Sequence, residues 1–220
     1  MISIDATHLY GKYKGNLMIA MATNANNKIY PLAFTVIESE STETCGWFLA
    51  CIRRYVTNRG HLCVISDRHP GIQAIFRDTN RDFSLQPLMT EHHYCLRHLC
   101  SNINTRWNNE TLKNLVWRVA SATQERKFNA TFDLIENVNQ DAHQYIKNVP
   151  KEKWALTFYK GYRYGAMTTN VSKCFNSVLK NAHSLPIMAM VKYTWFKLNS
   201  YFDDHHNKSI AQLNSGKKMD

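Results

Sequence analysis

No apolar run in this chain approaches the roughly 20 residues that a bilayer-spanning helix requires. Met1 leads straight into Ile2-Ser3-Ile4, without the basic and apolar regions of a secretory signal. The expectation is a soluble, intracellular chain with no membrane partner. A disulfide framework is missing as well: Cys45, Cys51, Cys63, Cys95, Cys100 and Cys174 sit mostly inside apolar periodic segments, which fits a reducing compartment. Internal repeats and low-complexity linkers are absent. At 220 residues with 44% hydrophobic content, the chain can bury one good core with a helical annex.

Acid is missing from one long stretch. Between Lys153 and Phe202 there is no Asp or Glu, while Lys153, Lys160, Arg163, Lys173, Lys180, Lys192 and Lys197 carry positive charge and Trp154, Tyr159, Tyr162 and Tyr164 are interleaved. With a net charge of +10 and a pI near 9.3, this distribution points to a polyanionic partner. Lys160, Arg163, Lys173 and Lys180 are the candidate nucleic-acid contacts, set against the plainer reading of a basic surface over core aromatics.

The apolar patterning predicts an α/β chain. Strands are expected at Ile2 to Asp5, Asn16 to Thr23 and Ile29 to Ile37, the last two joined as a hairpin through 24–28. Pro31 has no amide donor and places the third strand at a sheet edge. A helix capped by Ser41 or Thr42 runs to about Asn58, with Trp47, Phe48, Cys51, Ile52, Tyr55 and Val56 on one face. The short apolar run HLCVISD after Gly60 suits a central strand ending at Asp67. Pro70 then starts a short helix, and Leu88 to Tyr94 gives a fifth strand. A helix with Leu96, Leu99, Cys100, Ile103 and Trp107 follows, and from Thr111 the pattern is all helix, with stripes at Leu112, Leu115, Val116, Val119 and at Phe128, Phe132, Ile135. Val171, Cys174, Phe175, Val178 and Leu179 form another stripe, with Lys173 on the opposite face, and a last helix from Pro186 carries Ile187, Val191, Thr194, Trp195, Leu198 and Phe202. The expected architecture is a mixed sheet of about five strands followed by a helical region.

Two groups of residues could carry chemistry. Asp5 and Asp67 each end an expected strand, and carboxylates at the carboxyl ends of neighbouring central strands either share a proton or hold divalent cations. In HHYCLRHLC, Cys95 and His98 have a C-x-x-H spacing that turns both side chains one way from a helix. Two ligands do not make a structural zinc site; His92 or His93 could contribute a third, but without a second paired motif packing or hydrogen bonding is the favoured role.

These stretches together resemble the plant Mutator-like element transposases of the MULE/MuDR type. The resemblance rests on IDATHLYGKYKGNLMIAMATNANNKIYPLAFTVIE, WFLACIRRYV, VISDRHPGI, YCLRHLCSNI, YGAMTTNVSKCFNSVLK and AHSLPIMAMV, in family order across nearly the whole chain. It implies a ribonuclease H-like core spanning 1–107, a helical insertion at 108–160 and helices completing the core at 161–220, one domain overall. It also implies DNA cleavage and strand transfer by a DDE triad with Mg²⁺ or Mn²⁺, DNA as partner, and the nucleus as location. Asp5 and Asp67 fall on the first two catalytic, metal-holding acids, and Cys95 and His98 on the family's C-x-x-H. The third acid of similar sequences belongs to an S-E-x-F-N stretch, which here reads Ser172-Lys173-Cys174-Phe175-Asn176. An ammonium where a carboxylate should face a cation is unfavourable by several kcal/mol, since one unit-charge pair at 4 Å is worth about 4 kcal/mol at an effective dielectric of 20. The resemblance therefore implies a catalytic-core fragment with a degenerate third-acid position and weakly held metal. The alternatives are a domesticated DNA-binding regulatory protein, or an active metal-dependent nuclease with a displaced third acid such as Glu91.

Overall fold

The computed structural model describes residues 1–12, 14–23, 29–77, 90–159, 167–169 and 175–215. Its centre is a mixed five-stranded sheet: β1 (Ile2–His8), β2 (Asn16–Thr23), β3 (Ile29–Ile37), β4 (Cys63–Ser66) and β5 (Glu91–Tyr94), in the order β3-β2-β1-β4-β5. β2 runs antiparallel to β1 and β3, while β1, β4 and β5 are mutually parallel. All strands except β2 thus point the same way and deliver their carboxyl ends to one edge of the sheet. β3 lies at the rim, where the missing amide of Pro31 breaks no internal ladder.

Helices cover both faces. α1 (Thr42–Tyr55) and α2 (Pro70–Arg77) lie on one side, where Phe48, Leu49, Ile52, Ile72 and Ile75 pack on Ile2, Ile4, Met18, Ala20 and Val64. Alternation along the strands sends Leu17, Ile19 and Met21 to the other side, where they meet Phe175, Leu179, Met190 and Leu198. Those partners come from a helical turn at 175–178 and from α8 (Ile187–Asn214). The remaining helices, α3 (Leu96–Trp107), α4 (Glu110–Ala120), α5 (Glu125–Val138), α6 (Gln140–Lys147) and α7 (Lys151–Trp154), form their own cluster around Phe128, Trp154, Val116, Ile135 and Ile146. α3 belongs to both units, since it continues from β5 through Cys95 and buries Leu96, Leu99, Cys100 and Ile103 in the helical cluster.

Local chemistry explains the joints. Ser41 caps α1 in a reciprocal box, its Oγ accepting from Thr44 N at 3.1 Å while its own N–H donates to Thr44 Oγ1 at 2.9 Å. Asn109 and Asn139 cap α4 and α6 by single bonds, their Oδ1 atoms accepting from Leu112 N and Ala142 N.

Several expectations need correction. β1 extends past Asp5 to His8, because Ala6, Thr7 and His8 continue the ladder with Met18, Leu17 and Asn16. On α1 the buried arc is Cys45, Phe48, Leu49 and Ile52, whereas Trp47, Tyr55 and Val56 are exposed. The sheet covers the arc around Phe48 and Leu49, so Trp47 turns outward and the last two residues lie at the helix end. On α8 the line Met190, Thr194, Leu198 is buried, while Ile187, Trp195 and Phe202 face solvent, because only a narrow stripe of this long helix meets the sheet. Residues 78–89 and 170–174, with parts of the expected fifth strand and of the stripe at Val171 and Cys174, lie outside the described residues.

The first turn of α2 sits tightly on the entry to α1. A Cβ on Gly71 would stand 2.9 Å from the carbonyl carbon of Ser41 and 3.0 Å from its oxygen, contacts that backbone on both sides cannot relieve. Gly71→Ala is therefore expected to destabilise the chain by about 1–3 kcal/mol, the range for overpacking a filled interior, as read by urea unfolding.

Candidate active site at the carboxyl edge of the sheet

The β1–β4 register pairs Ile2 with Val64 and Ser3 with Ile65. Two residues beyond that last pair are Asp5 and Asp67. Asp5 lies within β1 and Asp67 directly follows β4, so both acids lie towards the same edge of the sheet.

Asp5 is 8% exposed, and a carboxylate so buried is costly unless its oxygens are engaged. Asn176 Nδ2 donates to Oδ2 at 3.1 Å, and His98 Nε2 lies 3.7 Å from Oδ1. The amide arrives from the helical turn at 175–178, the imidazole from the first turn of α3. Asp67 is half-exposed, and its Oδ1 accepts the His69 backbone N–H at 3.1 Å, which fixes the turn between β4 and α2.

The C-x-x-H pair has a hydrogen-bonding role. Cys95 is fully buried just ahead of α3, and its sulfur receives Thr169 N at 3.2 Å and Thr169 Oγ1 at 3.3 Å. Burial alone pushes the Cys95 thiol up, but the hydrogen bond and charge of His98 together with the two Thr169 donors outweigh it and bring it down to about 7. At Cys45 and Cys100 burial prevails and pushes the thiols up to about 12, at Cys45 against a lowering hydrogen bond from Thr44. His92 and His93 do not join the pair. His92 is stacked on Phe76 at 4.2 Å, bonded to Ser66 Oγ at 2.9 Å and held neutral chiefly by burial, while His93 Nδ1 bonds the Glu152 carbonyl at 3.0 Å.

Sequence reasoning missed two participants. Glu40 follows β3, which is parallel to β1, so it arrives at the same edge as Asp5 and Asp67. Burial and then the charge of Asp67 raise its carboxyl above the ordinary value, opposed by His69, His8 and His98. The strand-end argument used for the two aspartates would have found it once the hairpin fixed the direction of β3. Asn176 could not be found that way, since 171 residues separate it from Asp5. Glu91, in contrast, pairs with Cys63 at the opposite end of β4, four residues and about 13 Å from Asp67 along the strand. It does not reach the site.

Lys160, Arg163 and Lys173 lie outside the described residues, whereas Lys180 is exposed at the start of the 3₁₀ turn Lys180–Ala182. The donors at the edge are carboxylate oxygens suited in kind to a hard divalent cation. Among the described residues, no three His, Cys, Asp or Glu side chains converge closely enough to hold one, and no helix is long and apolar enough to cross a membrane.

The Cys95 environment has a consequence for stability. An unfolded thiol ionises near 9.0 and the folded one near 7, so between these values the unfolded state binds more protons and stability rises with pH. The contribution is complete above the unfolded value and is lost as pH falls through the folded one. Relative to Cys95→Ala, the native chain should gain up to about 2–3 kcal/mol from pH 7 to pH 9, measured by urea unfolding across that window.

No curated protein matches the chain. The family model described as the MULE transposase domain matches residues 1–102, which takes in the whole sheet, Asp5, Glu40, Asp67 and the Cys95–His98 pair: over that stretch the chain is similar to MULE transposases.

Proposed function

We propose that this chain is the catalytic core of a MULE-type transposase, with a ribonuclease H-like fold, and that its chemistry is impaired. The observation that carries the reading is the position of Asp5 and Asp67, each two residues beyond the last pair of the parallel β1–β4 ladder, within the stretch similar to MULE transposases. In this reading 1–107 is the core, 108–160 a helical insertion, and 161–220 the return to the core. The contact from Asn176 to Asp5 supports that return, because it brings a residue from after the insertion back to the first acid.

The roles follow from the contacts. Asn176 and His98 hold Asp5 in place from two sides, and the His69 amide holds Asp67. Asp5 and Asp67 would hold Mg²⁺ or Mn²⁺, which when bound would stabilise charge on a transferring phosphoryl group and lower the pKa of attacking water. Lys173, three residues before Asn176 in the family's third-acid position, supplies repulsion where a third carboxylate would supply attraction, so the cation is held weakly. Lys160, Arg163 and Lys180 would contact the DNA backbone, and a DNA substrate implies a nuclear location.

One observation favours a second reading, an active nuclease with a displaced third acid. Glu40 stands near enough to Asp67 to be raised by its charge, and a cation between the two would relieve that repulsion.

Calorimetric titration of Mn²⁺ separates the readings. Impairment predicts weak binding to the native chain, an additional site in Lys173→Glu, and none in Asp67→Ala. Two tightly bound ions in the native chain would overturn it. If tight binding is present and Glu40→Gln abolishes both it and cleavage of a supercoiled plasmid, the displaced-acid reading stands instead.

A further inference from the structure

Behind Asp67 the chain turns into a cavity that the acids do not use. The cavity measures about 350 Å³ and lies between the sheet and the helical cluster, with Arg68, Gln73 and Tyr94 on one wall and Asn102, Tyr145 and Asn148 on the other. Among the described residues no carboxylate lines it. Its walls are fixed: Gln73 donates to the Arg68 carbonyl at 2.6 Å, and its own Oε1 accepts from Tyr94 at 3.1 Å and Arg77 at 2.9 Å.

Arg68 is the charged group of this cavity. Its guanidinium lies 5.3 Å from the Tyr145 ring centre and donates to the Tyr145 hydroxyl. Its Nε is buried with no hydrogen-bond partner among the described residues. A buried cationic donor left without an acceptor is costly, and a bound anion would supply the acceptor that the described residues do not. The rings argue against a stacked base. Tyr145 is already approached by Arg68 and by Arg106 at 5.2 Å, with Trp107 against it at 5.4 Å in an edge arrangement. What stays available is a guanidinium with amide side chains at the rim, the donor set that recognises backbone phosphate.

We propose that this recess is a phosphate-binding subsite, which seats one backbone phosphate of the DNA strand whose neighbouring phosphodiester reaches Asp67. The assignment rests on the reading of the chain as a DNA-processing core, and it adds a contact from the β4–α2 turn and the helical cluster that the basic segment does not supply.

The test is fluorescence anisotropy of a duplex oligonucleotide against salt concentration, for the native chain, R68Q and R68K. Loss of one charge-assisted contact should weaken binding of R68Q roughly ten- to hundredfold at low salt and make the salt slope shallower by about one. R68K, which keeps the charge, should keep the native slope. Asn148 is exposed, so N148D tests the rim without disturbing the fold; it should weaken binding where N148A does so much less. A native slope in R68Q, or N148D binding as well as the native chain, overturns the subsite while leaving the DNA-binding reading intact. Saturable binding of inorganic phosphate that R68Q loses, with no change in oligonucleotide affinity, would mark a free-anion site and overturn the strand assignment. No binding of the oligonucleotide by the native chain overturns both readings together.

Discussion

The burial of Asp5 is the constraint on which the site depends. A carboxylate at 8% exposure requires donors, and the chain supplies them from two directions far apart in sequence, His98 from α3 and Asn176 from the turn at 175–178. His98 is in turn engaged with Cys95, whose sulfur collects two hydrogen bonds from Thr169. One polar chain thus ties together β1, α3, the 167–169 segment and the helical turn beneath β2. The network draws these pieces together, with Asn176 Oδ1 left buried and without a partner among the described residues.

That network explains the asymmetry of the sheet's two faces. On the α1 side, Ile2, Ile4 and Val64 meet an apolar helix face, and the buried polar pair there, Ser66 and His92, is bonded to itself and covered by Phe76. On the other side, β1 presents Ser3 and Asp5 beside the apolar Cys63 and Ile65 of β4, so polar groups interrupt the core at the point where the strands end. Glu40 reaches the same edge from the loop after β3, and its raised carboxyl records the concentration of negative charge there. Histidines 8, 69 and 98 offset that charge in part. The edge therefore combines acids with imidazoles, while the cavity proposed to seat a phosphate lies beyond it, between the turn after Asp67 and α6.

Much of this was legible in the sequence. Period-two apolar runs marked the strands, Pro31 marked the rim, Ser41 marked the start of α1, and the spacing of Leu112, Val116 and Val119 or of Phe128, Phe132 and Ile135 marked the buried stripes of the helical cluster. Asp5 and Asp67 stood out because each ended an apolar run. The phase of α1 and α8 was not legible in the same way. Trp47, Trp195 and Phe202 are as apolar as the residues actually buried, and only the limited width of sheet beneath each helix selects among them.

The elements and the apolar runs that end in Asp5 and Asp67 follow from local pattern and spacing, whereas the significance given to Lys173 comes from the resemblance alone. The tertiary structure decided which groups share a site. It joined Asn176 to Asp5 across 171 residues, brought Glu40 towards Asp67, and carried Glu91 to the far end of β4. The physical reason is register: strand direction and pairing set which ends coincide, and that depends on contacts between segments that no local window contains.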